Sequence, residues 1–422
     1  MYLTDNNYLV KVSSYLFLLI PIFLITGPFL SDLSLTLVSI FILIHIVNNK
    51  DYKYLNNRYV YFFLIFYFYI ILNSLFNNFN LDSIRISVTF IRFGLFTIAT
   101  IYILNYNKNL LKILYQIYLL CLSILIIDGF YQFFMGYNIF GYPLAPGPRV
   151  SSFFNDELKL GSYLSRSFPV FFGLMIYHYN KLNKKYYYFG CIIFILSEVL
   201  VYLSGERAAF FYMNLSSVFI LIAIKHFKIT RLTIFILSIF LIIILSISYP
   251  SSKQRIIDYS MKQMNIKKGF SDIIFFSIQH HELYKSATKI YQDNKIFGVG
   301  VKNFRNFCGK PKFKTSELSC NNHPHNTYIQ ILSELGLVGF VFIMILLLYF
   351  LRYVFIHLKK LFYLKSYHFT DFEICLMSSF LITLWPIVPT GNFFNNWLSI
   401  LSFYPLGIFF WSISNRISVN SN

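Results

Sequence analysis

The sequence predicts an all-α, polytopic membrane bundle of about twelve transmembrane helices with a long, partly helical loop on one face. Three observations lead there. Of 422 residues, 57% are hydrophobic and 21% aromatic, more apolar surface than a soluble domain of this size needs. The apolar residues gather in repeated runs of about 20, the length of a membrane-crossing helix. Lys and Arg collect in the short connections between runs, and basic connections alternate with connections that carry none. Lipid-facing backbone must satisfy its own hydrogen bonds, so the runs are read as helices.

In chain order the expected helices are 13–30, 33–48, 59–76, 83–104, 111–135, 160–178, 186–204, 207–225, 231–249, 325–351, 372–389 and 396–414. The first has only Lys11 before it and no small-residue cleavage site, so it reads as a retained helix rather than a removed signal peptide. Basic connections hold Lys50, Lys53 and Arg58; Lys108 and Lys112; Lys181, Lys184 and Lys185; Lys225, Lys228 and Arg231; and Arg352, Lys359, Lys360 and Lys365. With twelve spans all five fall on one side, which the positive-inside rule makes cytoplasmic, together with both termini. The segment 250–324 then lies outside. Its thirteen Lys and Arg do not oppose this, because long loops cross largely regardless of charge. The expected organisation is one membrane domain: helices one to nine over 1–249, the outer region 250–324, and helices ten to twelve over 325–422. The formal charge of +19 is accounted for by these loops, so nucleic acid is not an expected partner.

The richest stretch runs from Cys308 to Gly339, CGKPKFKTSELSCNNHPHNTYIQILSELGLVG. A polar loop passes through His323-Pro324-His325-Asn326 straight into an apolar helix. Pro324 biases His323 away from helix and suits a helix start itself, which predicts His325 in the first helical turn at the water boundary. At about 100° per residue, Asn326, Gln330 and Glu334 share one stripe, which should face protein or a wet cavity. Gly336 and Gly339 allow close approach of another helix. Cys308 and Cys320, just before His325, can close a disulfide in an oxidising compartment, for about 3 kcal/mol in the chain-entropy model. Two free thiols are the alternative. Cys121, Cys191 and Cys375 lie within apolar helices and read as packing residues.

The pattern His-Asn, nine residues, Gly, two residues, Gly resembles the bacterial O-antigen ligase family, within the wider O-antigen ligase/polymerase superfamily. The matching residues are His325, Asn326, Gly336 and Gly339. Phe340 departs from it, where the pattern has a small or β-branched residue. The turn SGERAAF is similar to the Ser-Gly-x-Arg turn of that superfamily and carries Arg207. The run PRVSSFFNDELKLGSYL looks like its loop bearing Arg149 and Glu157. NKIFGVGVKNF resembles its Gly-x-Gly-x-x-x-Phe segment. Many relatives have an Arg where His280-His281 stands here, and Arg255 and Lys285 are the replacement candidates for that cation. The resemblance covers about 149–340.

Each candidate has a plainer alternative in the sequence. Arg207 at a helix N-terminus opposes the helix dipole, which suits a phosphate-gripping arginine; the alternative is pairing with Glu206 or Glu198. Glu157 can orient Arg149 or a sugar hydroxyl, or, with Asp156, favour a helix dipole. Segment 279–293 reads as an amphipathic helix with Leu283, Ala287 and Ile290 on one face and Lys285, Ser286 and Lys289 off it, suited to the bilayer surface or to capping the bundle. Asp128 and Glu198 are intramembrane acids that either carry function or brace an Arg. A zinc site from His280, His281, Glu282, His323 and His325 lacks the His-Glu-x-x-His spacing, so no metal and no cofactor are expected.

The resemblance implies metal-independent glycosyl transfer at the periplasmic face of the bacterial inner membrane. The donor would be a glycan on undecaprenyl diphosphate and the acceptor lipid A–core, with membrane lipids around both. In that reading His325 is the base and Arg207 steadies the leaving group. Arg149, Glu157, Arg255, Lys285, His281, Asn326 and Gln330 bind or orient substrate. The same residues are compatible with an O-antigen polymerase or a protein O-oligosaccharyltransferase, which differ in acceptor. A polytopic lipid or sugar transporter is the different class, and would instead show inverted repeats and polar groups near the midplane.

Overall fold

The computed structural model describes residues 6–77, 79–181, 183–264, 274 and 276–420. Among them every regular element is helical. The chain runs α1 (Asn6–Thr26), α2 (Pro28–Asn48), α3 (Arg58–Phe76), α4 (Leu81–Thr89), α5 (Ile91–Tyr106), α6 (Leu110–Met135), α7 (Leu160–His178), α8 (Lys184–Leu203), α9 (Arg207–Ala223) and α10 (Lys228–Ser248). Short pieces follow: α11 (Pro250–Lys253), a π-helical turn over Gln254–Asp258, α12 (Tyr259–Gln263), α13 (Ile278–Asp293) and α14 (Phe304–Phe307). Three more helices close the chain: α15 (Thr327–Tyr363), α16 (Asp371–Leu384) and α17 (Asn396–Asn420).

Each expected segment has its helix, α4 and α5 together forming one rod bent at Phe90. Nine of the described spans are long and apolar enough to cross a membrane. The helices α7, α9 and α16 fall outside that set; α9 has 17 residues and α16 has 14. The expected count of twelve spans is therefore larger than length and apolarity support.

Local chemistry explains the ends. Pro28 opens α2 where its missing N–H costs nothing. Asn57 and Asn80 cap α3 and α4 with their side-chain oxygens. Thr370 and Glu373 form a reciprocal capping box on α16. One continuous aromatic-rich core joins residues of every long helix, and a smaller one, built on Leu283, Ala287, Ile290, Val299 and Phe304, packs the outer segment. So α13 caps the bundle with the expected apolar face inward. Ser286, expected off that face, is also fully buried.

The helix after the histidines differs from expectation in three ways. It begins at Thr327 with Asn326 as its cap, Asn326 Oδ1 accepting from the Tyr328 and Ile329 amides. His325 therefore stands before the helix, not in its first turn, with a left-handed backbone at φ 58. The helix also runs on to Tyr363, through the basic residues read as a connection. Finally, it breaks at Gly336, φ 65 and ψ −163. The residues that approach there are a loop, not a helix: the Leu337 amide donates to the Lys295 carbonyl at 2.8 Å and the Gly300 amide to the Glu334 carbonyl at 2.8 Å. A Cβ on Gly336 would sit 2.3 Å from the Ile296 oxygen.

Candidate active site

The connections at one end of the bundle converge on the His323–His325 segment. The His325 carbonyl accepts from the Thr390 amide at 2.9 Å, which ties the left-handed backbone to the α16–α17 connection. The Thr390 carbonyl in turn meets the His323 Nε2 at 3.3 Å, and it also raises the His325 pKa against burial. Asn321 Nδ2 lies 3.4 Å from His325 Nε2. The two rings are 4.0 Å apart, and His280 on α13 meets the His325 ring edge-on at 5.5 Å. Strained backbone of this kind persists only where the surroundings over-determine it, and it marks functional sites.

Electrostatics make these imidazoles neutral near pH 7. Burial lowers the His325 pKa. Burial, then the His325 and Arg207 charges, push His280 down to about 4. Burial, His325, Lys302 and Arg305 push His323 down to about 3, the Thr390 carbonyl opposing. A neutral ring in reach of a hydroxyl can accept its proton.

Arginines stand beside this group. The turn Ser204–Glu206 between α8 and α9 brings Gly205, φ 63, under Arg149. A Cβ there would lie 2.7 Å from the Arg149 Cγ and 3.2 Å from the Arg255 Cγ, so only glycine lets both side chains cross the turn. Arg255 comes from the π-helical turn, a device common at functional sites. Its Nε is buried with no hydrogen-bond partner among the described residues. Arg207 donates to Gln263 Oε1 at 2.7 Å and Ser260 Oγ at 3.4 Å. Arg149 donates to the Pro146 carbonyl at 2.7 Å, and burial next to Arg255 lowers its pKa, Glu206 opposing. No carboxylate forms an ion pair with Arg149, Arg207 or Arg255 among the described residues. Glu206 instead caps α7, accepting from the Gly161 and Ser162 amides at 2.6 and 3.0 Å, and Glu198 pairs with Arg231. Three cations with no ion-paired carboxylate among the described residues have the charge and donors that suit phosphate oxygens.

Several sequence candidates stand elsewhere. Glu157 is exposed and paired with Lys159; two residues apart in an open turn, they meet each other sooner than Arg149. Lys285 points to solvent with Glu282 as partner, because it lies on the outer face of α13. No ring contact or hydrogen bond joins the His281 side chain to the cluster among the described residues; its neighbour His280 faces in. Asn326 is spent on the cap and on the Pro386 carbonyl at 2.8 Å. Gln330 bonds Glu334 at 2.9 Å and the Phe393 amide at 3.0 Å, and Glu334 receives the Lys302 and Phe304 amides. That stripe faces protein, and it clamps two loops rather than orienting His325. Cys308 and Cys320 are joined in a disulfide, which closes the loop leading to Asn321.

Asp128 was expected either to carry function or to brace an Arg, and Gln132 was not singled out in the sequence. On adjacent turns of α6, both are fully buried and both hold the 136–159 loop rather than an arginine. Asp128 accepts from the Ser152 hydroxyl at 2.5 Å and the Ile139 amide at 3.0 Å. Gln132 accepts from the Ser151 and Ser152 amides at 2.9 and 2.7 Å and donates to the Tyr142 and Pro143 carbonyls. The Val150 amide bonds the Leu203 carbonyl, which sets Arg149 on the turn before Arg207. Their spacing of four on a helix was a signal for a shared face; nothing in it named the loop.

Among the described residues no group of three or more His, Cys, Asp or Glu is arranged to hold a metal ion. Residues 191–344 match the family model described as O-Antigen ligase. The matched segment contains Arg207, Arg255, His280, both loop cysteines, His325, Gly336 and Gly339, and leaves Arg149, Gln132 and Thr390 outside. No curated protein matches the chain.

Proposed function

We propose that this chain, an O-antigen ligase family member by its residues 191–344, is a membrane glycosyltransferase that moves a glycan from undecaprenyl diphosphate to a hydroxyl acceptor at the periplasmic face. The observation that carries the reading is the meeting of neutral His325 and His280 with Arg207, and through Gly205 with Arg149 and Arg255, at one end of the bundle.

The acceptor hydroxyl gives its proton to the His325 ring as its oxygen bonds to the anomeric carbon of the donor sugar. The bond from that carbon to the phosphate oxygen breaks, and its electron pair leaves with the lipid diphosphate. Charge grows on the diphosphate, and cations fixed beforehand stabilise it without reorganising. Arg207, Arg149 and Arg255 fill that role; Gln263 and Ser260 hold the Arg207 guanidinium until the diphosphate replaces them. Asn321 and the Thr390 carbonyl hold the His325 ring.

The acceptor that belongs to the ligase reading is lipid A–core; a second lipid-linked glycan belongs to the polymerase reading. The test is transfer by purified protein in vesicles from lipid-linked repeat units, with and without lipid A–core. His325→Ala and Arg207→Ala should each abolish transfer and leave membrane insertion intact. Normal transfer by either variant removes that residue from the mechanism.

A further inference from the structure

Three buried polar groups gather beside the histidines without partners. Among the described residues the Tyr212 and Tyr284 hydroxyls and the Trp385 indole Nε1 have no hydrogen-bond partner, and Tyr212 is only 1% exposed. Buried polar groups are ordinarily satisfied, and each one left over calls for an explanation. The three come from separate elements. Tyr212 is on α9, Tyr284 on α13, and Trp385 directly follows α16. Trp385 and Phe276 pack against the small core of Tyr212, Ile382 and Val388. The Phe211 and Trp385 rings are 5.9 Å apart, and the Tyr284 and Tyr212 phenols are close enough to interact electrostatically.

The group adjoins the proposed reaction centre. Tyr284 lies one turn along α13 from His280, the rings 6.3 Å apart, and Phe276 stands 6.4 Å from the same imidazole. His280 in turn meets the His325 ring and the Arg207 charge, and Tyr212 follows Arg207 on one helix. Arg166, from α7, lies over the Tyr212 ring at 5.3 Å, and its charge interacts with the Glu206 carboxylate. Arg166 and Ile382 also line a cavity of 290 Å3 that extends to Thr327 and Thr390. The phenols therefore have empty space near them, not close packing on every side.

The chemistry of the group narrows what fits. Aromatic rings with a polar tip offer an apolar face and a hydrogen bond together, and a few such tips in an apolar wall fix the orientation of a small ligand. A sugar ring has both the C–H face and the hydroxyls to match. Arg166 is offset by Glu206, so the group holds no surplus charge for a carboxylate. The sugar bonded to a diphosphate on Arg207 must lie next to that arginine and within reach of the His325 ring, which is where His280 places this group. We propose that Tyr212, Tyr284 and Trp385 form the subsite for that sugar, an uncharged pyranose whose hydroxyls pair with the three groups. The assignment rests on the sugar-transfer reading for the position of the diphosphate, and on these residues alone for the kind of ring. Such a subsite selects among donors, because a ring lacking a hydroxyl leaves a buried group unpaired.

The test uses the full chain in lipid nanodiscs, with affinities read by calorimetry. The ligands are farnesyl diphosphate capped with a methyl group, which carries no sugar, and farnesyl diphosphate bearing glucose or glucuronic acid, which differ only at C6. Wild type should bind the glucose ligand at least tenfold more tightly than the methyl-capped one and at least fivefold more tightly than the glucuronic acid one. Tyr212→Phe and Tyr284→Phe keep the rings, and Trp385→Phe removes the N–H. Each should shrink the glucose-over-methyl preference at least threefold and leave the methyl-capped affinity unchanged. Arg207→Ala should weaken the glucose and methyl-capped ligands alike and keep their ratio. If it changes neither affinity, the arginine assignment fails, and the subsite is still judged by the ratio in the tyrosine variants. A wild-type preference for glucose below tenfold overturns the subsite. So does a preference that shrinks less than threefold in both tyrosine variants, which leaves the phenols to buried water. Equal loss of both ligands in those variants also overturns it, and makes the residues packing groups. A glucose-over-glucuronic acid preference below fivefold overturns the uncharged ring.

Discussion

Gln132→Ala tests how the arginine site is built. The residue touches no proposed substrate group; it holds the loop that carries Arg149. Its removal strips the Ser151 and Ser152 amides of their acceptor and removes one donor from the Tyr142 carbonyl, which keeps the Asn138 amide, and the donor of the Pro143 carbonyl. Ser151 and Ser152 are buried, and each orphaned donor costs about 1–3 kcal/mol, roughly 2–6 kcal/mol for the pair. The chain escapes that cost by letting the loop lift from α6, which takes Arg149 off the Gly205 turn. The expected result is faster hydrogen exchange of residues 138–154 and a donor KM raised tenfold or more, with the helical content unchanged. Gln132→Glu keeps an oxygen for both amides while losing the donors, so its KM should lie between those of wild type and Gln132→Ala. Wild-type kinetics together with wild-type exchange in Gln132→Ala would refute the assignment of this side chain as the loop's anchor.

Gly336→Ala should cost several-fold in yield and activity, because its Cβ would lie 2.3 Å from the Ile296 oxygen at a left-handed φ; thermal unfolding in detergent reads it. Reducing the Cys308–Cys320 disulfide should loosen the approach to His325. The chain-entropy estimate of about 3 kcal/mol predicts faster proteolysis of 308–322 under reductant, a lower transfer rate and unchanged membrane insertion. The acid limb of transfer should lie below the ordinary imidazole value of about 6.5, because burial lowers the His325 pKa, the Thr390 carbonyl opposing. Fold stability has the same sign. His280, near 4 in the fold and near 6.5 unfolded, binds its proton first in the unfolded chain. Stability is then complete above about 6.5 and falls as pH drops toward 4. A rate profile whose acid limb is centred at or above 6.5 would contradict the buried, neutral ring.

Much of this architecture is one-dimensional information. A run of about 20 apolar residues becomes a helix because lipid offers its backbone no other partner, so the rods were legible to within a few residues. The expectations that erred were those lacking such a constraint. Helix α15 was read as ending where Arg352 begins a basic stretch, yet basic residues continue a helix as readily as a loop. His281 and Lys285 were chosen by residue type on α13; the rotation of that helix, set by Leu283, Ala287 and Ile290 against the outer core, turned His280 inward instead.

By itself the sequence determined the membrane-helical class, the His325 motif at a helix start, the Arg207 turn and the cysteine pair, since each is a local or periodic signal. Only the tertiary structure decided which groups meet. Thr390 reaches His325 across 65 residues, Gln132 reaches forward to Ser152, and Arg149 crosses the Gly205 turn. Contacts between distant segments arise from how whole helices pack, and packing minimises the free energy of the assembled bundle rather than of any one stretch.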